Sequence, residues 1–221
     1  MNNKQTPILN FLDNLGGPSA APGGGAAAAL SGAMGAALVE MVCNLTIGRP
    51  SFAQFEADLK KILAQSKALR TELSSLFEAD QHAFQQVMAA YRLARQTEFE
   101  RQTRRAAIQA ALQQANQVQL AVVIACVNLV GLVRQIIDQI NPNTLGDLSA
   151  AVTLAEAGLK VAHLNIAINL GLMNDPQNET MIQQKLTEIF SSLKQDKALI
   201  LNHVLARSGA STAIVETLDL G

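Results

Sequence analysis

The chain has 221 residues, 49% of them hydrophobic and only 16% charged, with no Trp and a formal charge of −1. That balance, with a pI near 6.3, creates no field for nucleic acid or an anionic membrane and excludes both as primary partners. Few aromatics and few charges favour aliphatic helix packing with a shared interface, and no linker or charge block divides the chain, so a single domain over residues 1–221 is expected.

In chain order, apolar residues recur every three or four positions and no segment alternates as a strand would. A short helix is expected over Ile8–Leu15, stopped by Gly16-Gly17-Pro18, and a second over Gly24–Thr46, followed by Gly48 and Pro50. Three glycines, Gly23, Gly24 and Gly25, open this second helix. Their bare N–H groups at a helix start make a cradle for an anion or a polar ring edge. The Ala, Gly and Ser residues that follow permit close approach of another helix. Ser51 is expected to cap a third helix from Phe52 to about Arg95, which contains neither Pro nor Gly and is long enough to imply an elongated bundle. A fourth runs from Glu98 to about Ile140. Its first half, to Gln119, is polar and expected to face solvent, whereas Leu120–Val133 is apolar on every side and must be surrounded. Asn141-Pro142-Asn143 breaks the chain, a fifth helix spans Leu145–Leu172, and Asp175-Pro176 opens a sixth that ends near Arg207. Residues 208–221 read as a loose tail. The fold class is therefore all-α, an elongated bundle of long antiparallel helices.

Cys43 and Cys126 lie singly in apolar segments without a C-x-x-C pattern and read as buried thiols of a reducing compartment. The amino terminus lacks the apolar run of a secretory signal. The longest uncharged apolar runs, Ala26–Val39 and Leu120–Val133, fall short of the about 20 residues of a membrane span, so a cytoplasmic protein is expected.

On the third helix the stripe Leu69, Leu73, Leu76, Asp80, Ala83, Val87, Tyr91 places a carboxylate among apolar positions. Burial raises the proton affinity of such a group into a range useful for proton transfer, while a structural aspartate bonded to a neighbouring helix is the competing reading. Glu78 and His82, spaced i, i+4, are expected to pair in solvent. Asn165 and Asn169, one turn apart on the fifth helix, are amides that can donate and accept together, matching a heterocycle edge or another helix; Asn44 and Asn128 pose the same choice. Asp147 reads as a first-turn acid. His82, His163 and His203 are scattered, no metal-ligand spacing occurs, and no metal site is expected. Gly23–Ala28 matches G-x-G-x-x-A formally, but no strand precedes it.

Several blocks together resemble the cyclodeaminase/cyclohydrolase family of folate metabolism. They are Phe11-Leu-Asp13, Ala21-Pro-Gly-Gly-Gly25, Gly32-Ala-Met-Gly-Ala-Ala-Leu38, Met41–Gly48, Glu78-Ala-Asp-Gln-His-Ala-Phe84, Gly146-Asp147 and Leu164-Asn-Ile-Ala-Ile-Asn-Leu170. The wording is nearest to stand-alone methenyltetrahydrofolate cyclohydrolases. The resemblance implies a homodimeric helical bundle that binds folate in a cleft, with Asp80 as the acid/base residue and a tetrahydrofolate derivative as substrate, without metal or redox cofactor. Gly23, Gly24, Gly25, Asn44, Asp147, Asn165 and Asn169 are the candidate substrate-binding residues, and Arg101, Arg104 and Arg105 either meet an anionic glutamyl tail or form a solvated face. Ala94-Arg95, Gln119 and Gly146 depart from common family residues. The expected reaction is hydrolysis of 5,10-methenyltetrahydrofolate to 10-formyltetrahydrofolate. The alternatives are cyclodeamination of 5-formiminotetrahydrofolate and, in another class, a folate-binding or helical interaction protein without catalysis.

Overall fold

A computed structural model describes residues 8–208; the amino-terminal seven residues and all of the expected tail at 208–221 except Ser208, which ends the last helix, lie outside the described residues. Among the described residues there are six α-helices and no strand: α1 Ile8–Leu15, α2 Gly24–Thr46, α3 Glu56–Tyr91, α4 Glu98–Ile136, α5 Leu145–Met173 and α6 Pro176–Ser208. Glycine and proline punctuation places most boundaries within a residue or two of expectation. Two differ. Ser51 does not cap α3, because Pro50–Phe55 forms a 3₁₀ segment first and Phe55 is the N-cap residue. Proline at the start of that segment fixes a tight turn before the longer helix can propagate. Helix α4 ends at Ile136 rather than near Ile140.

The helix ends show why the chain turns where it does. Thr97 accepts from the Glu100 amide at 3.2 Å while Glu100 accepts from the Thr97 amide at 2.9 Å, closing a capping box on α4. Asn174, with φ of 52°, ends α5 in the left-handed conformation, and Asp175 then accepts from the Asn178 amide at 3.2 Å to start α6.

Helices α2, α3, α4 and α5 form a closed ring in which each packs on two others, and α6 lies against α4 and α5. Every neighbour within the ring is antiparallel. Gly25 faces Asp80 and Gly32 faces Leu73 across α2 and α3; Gln119 meets Asp80 while Arg104 meets Tyr91 across α3 and α4. At 36 residues, α3 is about 54 Å long, so the bundle is elongated. Leu120–Val133 is largely enclosed, as expected, but Asn128 is exposed and needs no buried partner. In the polar half of α4, Ile108, Leu112, Asn116 and Gln119 are buried, so that half lies along the ring rather than projecting from it.

The small-residue stretch serves the α2/α5 seam. A Cβ on Gly158 would lie 2.7 Å from the Ala28 carbonyl oxygen, and one on Gly35 would lie 2.8 Å from that of Ala151. Ser31 donates across the same seam to Leu154 at 2.7 Å. Backbones this close leave no room for side chains, so glycine is a packing requirement here. Cys43 and Cys126 are buried free thiols; burial pushes Cys43 up to about 11 and Cys126 up to about 12, leaving both protonated at neutral pH.

Three helical stretches, Gly24–Thr46, Glu98–Ile136 and Pro142–Met173, are long and apolar enough to cross a membrane by length and composition. This corrects the expectation drawn from short uncharged runs, which ignored that a span tolerates an occasional charge or polar side chain. Within the bundle, 56%, 61% and 39% of their most apolar windows are buried, so helix packing accounts for much of that apolarity.

The packing yields a paired test. Gly158→Ala forces a methyl against a backbone oxygen and should cost about 1–3 kcal/mol in chemical denaturation. Gly131 has open space at its Cβ position within α4, so Gly131→Ala should be neutral or stabilise by up to about 1 kcal/mol.

Candidate functional site

The first intrahelical bond of α2 runs from the Ala27 amide to the Gly23 carbonyl at 3.1 Å, leaving the amides of Gly24, Gly25 and Ala26 without a helical partner. The expected anion cradle is thus present, and the protein's own Asp80 occupies its edge. A Cβ on Gly25 would lie 2.1 Å from Asp80 Oδ1 and 2.4 Å from Gln119 Nε2. Only glycine admits both groups to the helix start.

Asp80 is half-buried on α3. Burial raises its proton affinity above that of an ordinary aspartate, while the Ala26 amide and the Gln119 side chain oppose that rise by favouring the carboxylate. Gln119, 2% exposed on α4, donates from Nε2 to Asp80 Oδ1 at 2.6 Å. Its Oε1 accepts from Asn165 Nδ2 of α5 at 3.4 Å. Four helices therefore converge on one carboxylate. This meets the minimum for acid/base work: a titratable group with a displaced proton affinity, held in a fixed orientation and still partly accessible.

The structure brings Asp80, Gly25 and Asn165 together, with Gly23 and Gly24 at the adjoining entry. Gly24 also faces Val161 of α5, whose Cγ1 would be 3.8 Å from an added Cβ. Asn169 is half-buried one turn beyond Asn165. Asn44 is exposed near the other end of α2, about 28 Å from Gly25 by helical rise, and Asp147 sits in the first turn of α5, about 27 Å from Asn165. Those two do not join this centre. Glu78 and His82 do not pair either: Glu78 lines a 420 Å³ cavity with Phe11 and Asn14 and keeps Oε1 buried without a partner, while His82 is exposed.

Sequence reading missed Gln119 as a site residue, although the signal was available. Leu112, Asn116, Gln119, Val123, Cys126, Val130 and Val133 alternate four and three apart and are all buried. Gln119 interrupts that stripe just as Asp80 interrupts its own. Beside the polar centre, α5 exposes Val161, Leu164, Ile168 and Leu172, an apolar strip that flanks Asn165. Further along, a 1160 Å³ cavity is lined by Arg95, Arg101, Arg104 and Arg105 together with Leu172 and Met173. Arg101 is paired with Glu98 at 2.8 Å, and Arg104 donates to the Tyr91 carbonyl at 3.1 Å and stacks over that ring. Among the described residues no three His, Cys, Asp or Glu side chains gather as a metal-ligand set.

Fold and site define an antiparallel all-helical protein built around one half-buried carboxylate held by neighbouring helices. The chain belongs to the formiminotransferase-cyclodeaminase family, whose model matches residues 7–188. It is 42% identical to a methenyltetrahydrofolate cyclohydrolase of Methylorubrum extorquens over 87% of this chain and 91% of that protein. It is 32% identical to the formimidoyltransferase-cyclodeaminase of Sus scrofa, matching 91% of this chain but only 37% of that longer protein. A crystal structure of formiminotetrahydrofolate cyclodeaminase from Thermotoga maritima superposes with a TM-score of 0.83 at 25% identity, covering 92% of this chain and 98% of the other.

The raised proton affinity of Asp80 fixes the sign of a stability test. A carboxyl that binds its proton more tightly when folded favours the native state below the unfolded-state titration, and that contribution is lost as pH rises through the folded one. At pH 7 the charged Asp80 therefore costs stability. Asp80→Asn should melt at a higher temperature than the parent at pH 7, with the difference shrinking as pH falls toward about 3; an unchanged gap across that range would contradict the burial argument.

Proposed function

We propose that the protein hydrolyses 5,10-methenyltetrahydrofolate to 10-formyltetrahydrofolate, with Asp80 as the acid/base residue. The observation that carries this reading is the half-buried Asp80 carboxylate, oriented by Gln119 at the start of α2, in a chain similar over nearly its whole length to a stand-alone cyclohydrolase. The substrate carries an amidinium across N5 and N10. Water attacks the bridging carbon, and Asp80 accepts a proton from it as the new C–O bond forms. Breaking the bond from that carbon to N5 leaves the formyl group on N10, and a proton passes to N5; the balance of the reaction releases one proton. An elevated proton affinity suits both halves, since the same carboxyl must take a proton and return one. The negative charge also faces the substrate cation in a partly desolvated site.

Gly23, Gly24 and Gly25 supply amides at the entry, Asn165 and Asn169 offer amide edges to the pterin, and the α5 strip of Leu164 and Ile168 gives the ring an apolar platform. No metal or redox cofactor enters this chemistry. The exposed α5 strip and the low charge fraction support a homodimer, the reducing environment suggested by two protonated buried thiols supports a cytoplasmic protein, and the arginine-lined cavity supports contact with a polyglutamyl tail. A second reading, cyclodeamination of 5-formiminotetrahydrofolate with Asp80 protonating the departing ammonia, is favoured by the superposition on the Thermotoga maritima cyclodeaminase.

Purified protein should accelerate the loss of methenyl absorbance, and Asp80→Asn should lower kcat about a hundredfold to ten-thousandfold while still binding folate. Full turnover by that variant would remove Asp80 from the mechanism. Appearance of methenyl absorbance from the formimino substrate would select the second reading, and folate binding without either signal would sink the enzyme. For the tail, Arg105→Ala should raise KM about three- to tenfold for a polyglutamylated substrate at low salt and leave the monoglutamate unchanged, with the difference fading at high salt.

A further inference from the structure

Asn165 donates to Gln119, and Gln119 donates to Asp80, so two amides from two helices point their N–H groups in series toward one oxygen. The order is enforced. A carboxylate accepts only, so Gln119 must present Nε2 to Asp80 and its oxygen to Asn165, which then must present Nδ2. Gln119 has no rotational freedom to do otherwise, being 2% exposed and pressed close enough to α2 that a methyl on Gly25 would collide with its Nε2. Donors in series polarise one another and strengthen the terminal bond.

We infer that Gln119 is a positioning residue: by linking Asn165 to Asp80 Oδ1 it commits that oxygen to the protein and leaves Oδ2 to exchange protons with the reacting water. The role in turnover rests on the proposed function, whereas the hold on Asp80 is a property of the protein without substrate. It also couples the two ends. Any ligand that draws on the Asn165 amide alters the donor strength of Gln119 and hence the proton affinity of Asp80. The remaining influences on Asp80 are few. From α2 comes the Ala26 amide and from α4 the Gln119 side chain, itself held by Asn165 of α5. Of the titratable groups nearest the contact on those helices, Cys126 packs against Gly32 and Gly158, His163 stacks on Phe190 of α6, and Lys160 pairs with Glu156. On α3 itself, Glu78 faces the cavity beneath α1 and His82 is exposed.

The test is a carbon-13 NMR titration of the Asp80 carboxyl in the full-length protein without ligand, its resonance assigned by its absence from Asp80→Asn. Gln119→Met keeps length and apolar packing but donates nothing. It should raise the proton affinity of Asp80 about tenfold, and Gln119→Glu should raise it further because two carboxylates would then share a proton. Asn165→Ala should give a smaller rise alone and none in the Gln119→Met background, and the acidic limb of kcat should move to higher pH with each titration. An unmoved midpoint in Gln119→Met and Gln119→Glu, with helical circular dichroism retained, overturns the proposal. Should both fail to fold, the half-exposed Asn165→Ala decides it: a rise in Asp80 affinity supports the chain of donors and no change refutes it. If the midpoints move as expected while neither folate is turned over, the positioning role stands and the functional reading falls.

Discussion

Contact between the Asp80 carboxylate and the first turn of α2 is the constraint around which the rest is arranged. A helix start offers unpaired amides and a favourable dipole to an anion, but a side chain on the helix would normally hold a neighbouring carboxylate away. Gly25 removes that obstacle, and the gap it leaves is filled by Asp80 and Gln119 together. The balance that results is neither that of a surface aspartate nor that of a deeply buried one. Desolvation pushes protons onto the carboxyl, two donors pull in the other direction, and desolvation wins.

Holding this balance requires the backbones to stay where they are. The α2/α5 seam supplies that rigidity, since Gly158 and Gly35 bring main chain against main chain with no flexible side chain between. Such a contact can move only if a whole helix moves. Asn165 lies about two turns beyond Gly158 on α5, so the seam that fixes α5 against α2 also fixes the amide that supports Gln119. The α3/α4 connection acts similarly at the far end, where Arg104 donates twice to the Tyr91 carbonyl at the end of α3 and the Thr97 capping box starts α4. The arrangement joins close packing to electrostatics: the polar chain is accurate because the apolar ring around it is tight.

How far the sequence discloses this can be judged from particular residues. Helix ends are readable where Gly16-Gly17-Pro18 and Asp175-Pro176 act locally, since their outcome hardly depends on the rest of the chain, whereas Asn141-Pro142 marks the start of α5 but not the end of α4 at Ile136. Asp80 was readable because it breaks an apolar stripe. Asn44 and Asn128 read as buried amides but are exposed, since a helix that is apolar over most of its circumference does not reveal which side faces its partners. Ser51 failed as a cap because the preceding proline had already committed the backbone to a tighter turn. Gln119 was passed over for a different reason. Its neighbourhood, from Glu98, is polar on average, and averaging hid a buried stripe running through the polar half of α4.

The location of Gln119 has a consequence for when the site comes into being. Glycine at 25 comes from α2, the carboxylate from α3, the bridging amide from α4 and the supporting amide from α5, and no two of these helices alone satisfy the set. A partly assembled bundle would leave Gln119 with an unmet donor or acceptor and Asp80 with its desolvation uncompensated, both unfavourable. The polar chain therefore adds specificity to a fold whose driving force is apolar. Sliding one helix by a turn would bring side chains into the Gly35 and Gly158 contacts, and it would also separate Asp80 from the α2 amides and Gln119 from Asn165. The glycine contacts of the seam and the chain of one carboxylate and two amides therefore specify the same register, one by excluding side chains and the other by requiring partners.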